Sequence, residues 1–227
     1  MLTRWAAADN AAWCDLVCRS HGLDTALDGD AWTSRRRTPF LYPDAVTLSP
    51  TAGVPELLDR IDGSGGCSIK DSFASLDLAP FGFRVLFDAE WIVRSGAAPI
   101  TTAPPWEVVR HAGRFVAWEQ AWRGDDGPAD VLRVDLLDHE SVTVLAARAN
   151  DGVMAGAILH RSPEVVGISN IFSSGDPDAA WAGCLALADT LFPGSLIVGY
   201  ESGDDLEVAL AHGFEPAGPL RIWLHDG

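Results

Sequence analysis

The sequence predicts an α/β protein, an α+β mixed sheet with helices on both faces, and three observations in its second half carry that expectation. Three apolar runs of strand length, Val142 to Ala147, Val153 to His160 and Val165 to Phe172, follow one another at short intervals. An Ala-rich helix begins at Pro177, and a shorter one opens at Ser202 and stops at Gly213. The chain then closes on Leu220-Arg221-Ile222-Trp223-Leu224, which alternates as a strand does.

Taken in order, Trp106 to Arg110 reads as a strand, and residues 112–123 as a helix whose Phe115, Trp118 and Trp122 share a face. Residues 129–140 read as a second helical or irregular segment. The first two of the three strands meet at Asp151-Gly152, where glycine's tolerance of positive φ suits a hairpin turn. The helix over 177–192 is apolar nearly all round, with Trp181, Cys184, Leu185, Ala188 and Leu191, so deep burial is expected. Leu196 to Tyr200 is a strand. Ser202 and Asp205 have the spacing of a capping box, and Asp204 suits the positive end of the helix dipole. The resulting order is β-α-(α)-β-β-β-α-β-α-β, which a mixed sheet covered by helices buries.

Residues 97–105, rich in proline and small side chains, read as a linker between a smaller N-terminal α/β portion, residues 1–96, and a domain over residues 106–227. In the N-terminal portion a helix over 6–21 carries Trp13, Leu16 and Val17 and ends at Gly22. A polar loop through Asp28-Gly29-Asp30 leads to Arg35-Arg36-Arg37. Ala45 to Leu48 reads as a strand, Pro55 to Ile61 as a short helix, and Gly63 to Gly66 as a loop. Residues 83–94 read as strand material, with a hairpin turn near Asp88-Ala89.

A net charge of −16, from 32 acidic and 16 basic residues, argues against nucleic acid and anionic membranes as partners, because phosphates need a basic surface. No basic start precedes a long apolar run, so neither a signal peptide nor a transmembrane helix is expected. Cys14, Cys18, Cys67 and Cys184 are scattered, which fits a reduced, cytoplasmic protein.

Cys14, Cys18 and His21 stand at i, i+4 and i+7 and share a helix face as metal ligands do, but without an evident fourth ligand and beside an apolar stripe. Core packing is the favoured reading, and no metal is expected. Arg35-Arg36-Arg37 suits phosphate or carboxylate recognition, or else a surface run paired with Asp28 and Asp30. His160 ends a strand and is either a base or a surface residue. Asp138-His139-Glu140 reads as a solvated loop. No Ser/His/Asp triad or nucleotide P-loop is present.

The element order, with Asp151-Gly152-Val153-Met154-Ala155-Gly156 and Gly213-Phe214, resembles the GNAT superfamily of N-acetyltransferases over about residues 104–227. The first string is similar to the family's strand-turn-strand hairpin, the second to its last helix breaking into the final strand pair. Phe81-Gly82-Phe83 followed by Trp91 parallels His212-Gly213-Phe214 followed by Trp223, as a truncated first copy in a tandem arrangement would. The parallel is equally readable as coincidence.

The resemblance implies a GNAT-like acyl-CoA N-acyltransferase fold, with acetyl-CoA or another acyl-CoA as co-substrate and a small-molecule or peptide amine as acceptor. It implies that Ile171, Phe172, Ser173, Ser174, Gly175 and Ser202 line the cofactor site, where the family has Arg or Gln, two residues, Gly, one residue, then Gly or Ala. Here Ser173-Ser174-Gly175-Asp176-Pro177-Asp178-Ala179 keeps a glycine and the helix start but not the Arg, and sets two aspartates where phosphates arrive. The family's thiolate-protonating Tyr falls on Ala209, and its helix-opening Asn on Ser202. Glu201 as base and Tyr200 as acid are the candidate replacements at a strand end; the alternative is a solvated Glu201 and a packed Tyr200. Two functions follow: acyl transfer from acyl-CoA to an amine, or a non-catalytic GNAT-like protein that binds a ligand or partner.

Overall fold

A computed structural model describes residues 1–96, 106–149 and 152–227. The linker expected over 97–105 and the turn residue Asp151 lie outside the described residues. The helices are α1 (Leu2–Ser20), α2 (Val54–Leu58), α3 (Ala112–Arg123), α4 (Pro177–Leu191) and α5 (Gly203–Ala211). The strands are β1 (Thr25–Leu27), β2 (Ala31–Ser34), β3 (Ala45–Thr47), β4 (Ser68–Asp71), β5 (Phe83–Arg94) and β6 (Trp106–Val109). They continue with β7 (Val142–Ala149), β8 (Gly152–Arg161), β9 (Val166–Ser173), β10 (Ile197–Glu201) and β11 (Glu215–His225). The segment expected over 129–140 holds a 3₁₀ turn, Val134–Asp138.

The chain forms two compact units, Met1–Trp91 with Ala217–Gly227, and Ile92–Pro216. The closing strand, read from sequence with the C-terminal domain, lies for nearly all its length in the first unit, and the end of β5 lies in the second.

In the second unit the strands run in the order β10-β9-β8-β7-β6. β6 to β9 are antiparallel neighbours and β10 runs parallel to β9. On one face, Leu145, Leu159, Val166 and Ile197 pack against Trp181 and Leu185 of α4 and Ala209 of α5. Each fully buried side chain of this size contributes roughly 1.5–3 kcal/mol. The opposite face carries α3, whose Trp118 donates from Nε1 to the Leu145 carbonyl at 2.8 Å. α4 is less enclosed than its composition suggests, since its first residues and Thr190 are exposed. A bidentate pair, Arg94 with Asp189 at 3.0 and 3.1 Å, joins the end of β5 to α4. Beyond α5, Gly213 takes φ +85, a left-handed conformation that glycine adopts without Cβ strain. With it come bonds from Gly213 N–H to Leu210 and from Phe214 N–H to Ala209, which satisfy the helix's last carbonyls. Phe214 is thereby set edge-on against Trp181, ring centroids 5.3 Å apart.

In the first unit the order is β1-β2-β3-β4-β11-β5. β4 pairs antiparallel with β11, Ser68 opposite Leu224 through Asp71 opposite Arg221. The hairpin expected at Asp88-Ala89 does not form: β5 runs unbroken from Phe83 to Arg94. Asp88 is satisfied within extended backbone by Arg221, at 2.6 and 3.1 Å, so no turn is needed to expose it. Strands β1, β2 and β4 were not expected from sequence. Gly82, like Gly213, has φ +85 and leads into a long strand.

Candidate active site

β9 and β10 begin as parallel neighbours, with Ile197 opposite Val166 and Val198 opposite Gly167. That described register ends there, while β9 continues to Ser173 and β10 to Glu201. Two features mark the point of departure. At Gly199 a Cβ would sit 3.0 Å from Ile168 Cγ2 and 3.1 Å from the Ile168 carbonyl, so any larger residue there would press on β9. Just beyond, β9 carries an extra residue: Ile158 lies opposite Ser169, but Gly156 lies opposite Phe172. The extra residue is accommodated at Asn170, whose φ of +52 is a conformation asparagine tolerates better than most residues. The bulge lies three residues beyond Gly167, where the described pairing of β9 with β10 ends. The Asn170 Oδ1 atom is buried without a hydrogen-bond partner.

The residues after the bulge are held in opposite senses. Ile171 packs against the α4 and α5 core. Phe172 points to the other face, edge-on to Trp118 at 5.3 Å. Gly156 permits this, because a Cβ there would strike both Trp118 Nε1 and Phe172. Trp118 is itself stacked between Phe115 and Trp122, at 6.1 and 6.4 Å, so Phe172 rests on a rigid aromatic row.

Opposite, β10 ends in Tyr200 and Glu201, both half-buried. The solvated reading of Glu201 does not hold. Burial raises its carboxyl from 4.5 to about 8, and the neighbouring negative charge of Asp205 adds to the effect. A carboxyl group titrating there is poised to exchange a proton near neutral pH. Ser202 is the N-cap of α5, but its side chain makes no capping hydrogen bond, so the capping box expected with Asp205 does not form. Ala209 is fully buried, with 0% exposure.

Past β9 the chain turns into α4 through Ser173, Ser174 and Gly175. The Gly175 N–H donates to Ser173 Oγ at 3.1 Å, the Ser174 N–H to the Met154 carbonyl at 2.8 Å, and the Asp178 N–H to Asp176 Oδ1 at 3.0 Å. Asp178 also meets His212 Nε2 at 3.1 Å. The residues present therefore fit a diphosphate poorly: the N–H groups of Ser174, Gly175 and Asp178 serve the chain's own oxygens, Pro177 has none to give, and two carboxylates stand beside them.

The other sequence candidates lie elsewhere. Arg37 bonds the buried Asp44 at 2.7 Å and Ser64, and Arg36 the Gly22 carbonyl, so these two residues brace the first unit. Asp28 pairs with Arg60 rather than with the arginine run. Cys14 and Cys18 are buried, and burial pushes the Cys14 thiol up to about 11. Among the described residues, no group of three or more His, Cys, Asp or Glu side chains is placed to hold a metal ion. His160, expected at the surface or as a base, is buried at 5% exposure near the end of β8, opposite Val142 of β7 and Gly167 of β9. Asp138, His139 and Glu140 are exposed. All four cysteines are free thiols, and among the described residues no helix is long and apolar enough to cross a membrane.

Sequence reasoning did not single out Asn170, Gly199 or Gly156 as part of the site. Glycine inside a strand pattern is a recognised mark of a bulge or of close backbone approach, and that signal was present at 156 and 199.

No protein-family model and no curated protein matches the chain. Solved structures do. A GCN5-related N-acetyltransferase from Kribbella flavida superimposes with a TM-score of 0.64 at 16% identity, covering 98% of this chain and 96% of that one. A protein described as an acetyltransferase of the GNAT family, from Novosphingobium aromaticivorans, gives 0.61 at 14% identity, covering 97% and 99%. A GCN5-related N-acetyltransferase-like protein from Streptococcus suis gives 0.54 at 15%, covering 98% of each chain. At such identities the likeness speaks for architecture alone, and with the bulged β9 parting from β10 it establishes that this chain has the GNAT acetyltransferase fold over nearly its whole length.

Proposed function

We propose that the protein transfers an acyl group from a thioester to an amine of a small molecule or peptide, with Glu201 handling the proton. One observation carries this reading: the described pairing of two parallel strands ends shortly before a bulge in one of them, and a carboxyl group that burial raises to about 8 stands at the end of the other. The amine nitrogen attacks the thioester carbon, and ionised Glu201 takes the nitrogen's proton. Backbone N–H groups near Phe172 and Ser173 hold the carbonyl oxygen as negative charge builds on it. The C–S bond then breaks, and the thiolate receives a proton from Glu201 or Tyr200. A thiol titrates at roughly 8.5, close to Glu201, so that return is nearly balanced in energy. The strongly negative chain suits a cationic acceptor. Acetyl-CoA or another acyl-CoA is the natural donor to try first, and a cytoplasmic setting agrees with the four free thiols.

A second reading, a non-catalytic protein that binds a ligand or partner, is favoured by the buried Ala209 and by the self-bonded turn before α4. Thiol release from acetyl-CoA across a panel of primary amines separates the two. Acyl transfer requires amine-dependent release that falls at least 100-fold in Glu201→Gln. Absence of both turnover and calorimetric binding at millimolar thioester establishes the non-catalytic reading instead. Unchanged turnover in the variant removes Glu201 from the mechanism.

A further inference from the structure

We infer that Asp176 closes the anion seat at the start of α4, so that a thioester donor is recognised through its pantetheine arm and acyl-pantetheine serves as well as acyl-CoA. The inference rests on the acyl-transfer reading above and specifies which part of the donor the site recognises.

The first turn of a helix attracts anions through N–H groups that lack intrahelical partners and through the positive end of the dipole. In α4 and the turn before it, several of these donors are missing or already engaged. Pro177 has no N–H to give, and that of Asp178 goes to Asp176 Oδ1. In the preceding turn, the N–H groups of Ser174 and Gly175 go to the Met154 carbonyl and to Ser173 Oγ. The two hydroxyls are also engaged, Ser173 with the Asp176 carbonyl at 3.3 Å and Ser174 with the Met154 carbonyl at 3.2 Å. Asp176 therefore occupies, with its own negative charge, the position an external phosphate oxygen would take, and Asp178 adds a second exposed carboxylate. A diphosphate arriving there would have to displace one carboxylate and lie beside another.

A pantetheine arm asks for something else. It is neutral, extended and carries two amides, so it pairs with a free strand edge as a peptide does. The described register of β9 with β10 ends at Gly167, and the stretch of β9 beyond Ile168, with Ile171 and Phe172 fixed on its two sides, is the edge that would take the arm. The parts of the site that fit a thioester donor are those that meet its neutral half.

Calorimetric titration of the full chain with acetyl-pantetheine and with acetyl-CoA tests this. The dissociation constants are expected to agree within about threefold. In Asp176→Gly/Asp178→Ala, which opens the seat while keeping a tolerated N-cap residue, acetyl-CoA should bind at least tenfold more tightly and acetyl-pantetheine as before. A tenfold or greater preference of the unmodified protein for acetyl-CoA overturns the inference and leaves acyl transfer standing. Binding of neither at millimolar concentration overturns both. If the double variant fails to fold, the ratio in the unmodified protein still decides.

Discussion

Replacing Glu201 by Gln removes a carboxyl group that burial keeps neutral, and the resulting gain in stability has a defined dependence on pH. In the unfolded chain this group ionises near 4.5; in the folded chain it holds its proton until about 8. Between those values the unfolded state has lost a proton that the folded state retains, so folding becomes less favourable by about 1.4 kcal/mol with each pH unit. Across the whole window the cost reaches a ceiling of about 5 kcal/mol, which the side chain's partial exposure trims to roughly 2–4 kcal/mol. Below pH 4.5 both states carry the proton and the cost vanishes; above 8 neither does and it levels off. Gln mimics the neutral acid and bears none of this. Urea unfolding of both proteins from pH 4 to pH 9 should show Glu201→Gln gaining on the unmodified protein through the window and holding its lead above it. A difference that does not change with pH would mean that Glu201 ionises as an ordinary surface carboxylate, and the proton-transfer argument would fall with it.

Asp205 is the second cause of that shift, so Asp205→Asn should move the midpoint of the pH–rate profile downward, and an unmoved midpoint would assign the proton to another group. Gly156→Ala drives a methyl group into Trp118 and Phe172 and should cost about 1–3 kcal/mol in urea unfolding while weakening thioester binding measured by calorimetry. Asp189→Ala leaves the Arg94 guanidinium, 4% exposed, without its carboxylate and should cost about 3–5 kcal/mol, most of which Arg94→Met/Asp189→Leu should recover in the same assay.

The parts of the fold that the sequence announced are those whose burial follows a regular pattern of apolar side chains. Phe115, Trp118 and Trp122 repeat at helical spacing because α3 packs one face on the sheet, and β7, β8 and β9 show as apolar runs because helices cover both of their faces. The parts it concealed use polar residues inside the core. β4 reads Ser-Ile-Lys-Asp, yet Lys70 is buried with its Nζ on Asn10 Oδ1 at 2.8 Å, and Asp71 is buried accepting the Leu76 N–H at 2.8 Å. Partners of that kind, 60 residues away in the first case, leave no trace in local pattern. Asp88 misled in the same way, since a polar residue in an apolar stretch reads as a turn unless its Arg221 partner, 133 positions on, is known. At the site, Glu201 was visible as a candidate from its place at a strand end. Its altered acidity was not, because that depends on what surrounds it and not on which residues adjoin it in the chain.

The absence of a phenol at position 209 also has a structural side. Ala209 lies on the face of α5 that packs against α4, in the same cluster as Trp181 and Phe214, whose rings already meet edge-on there. A tyrosine in that place would have to displace one of these rings or push α5 off its neighbour, and overpacking of a filled core costs about 1–3 kcal/mol. The proposed proton transfer therefore calls for a group outside α5, and Glu201 at the end of β10 is the candidate. There burial and the neighbouring Asp205 raise the Glu201 carboxyl to about 8, and in the proposed reaction such a weakened acid suits passing a proton between an amine and a thiolate.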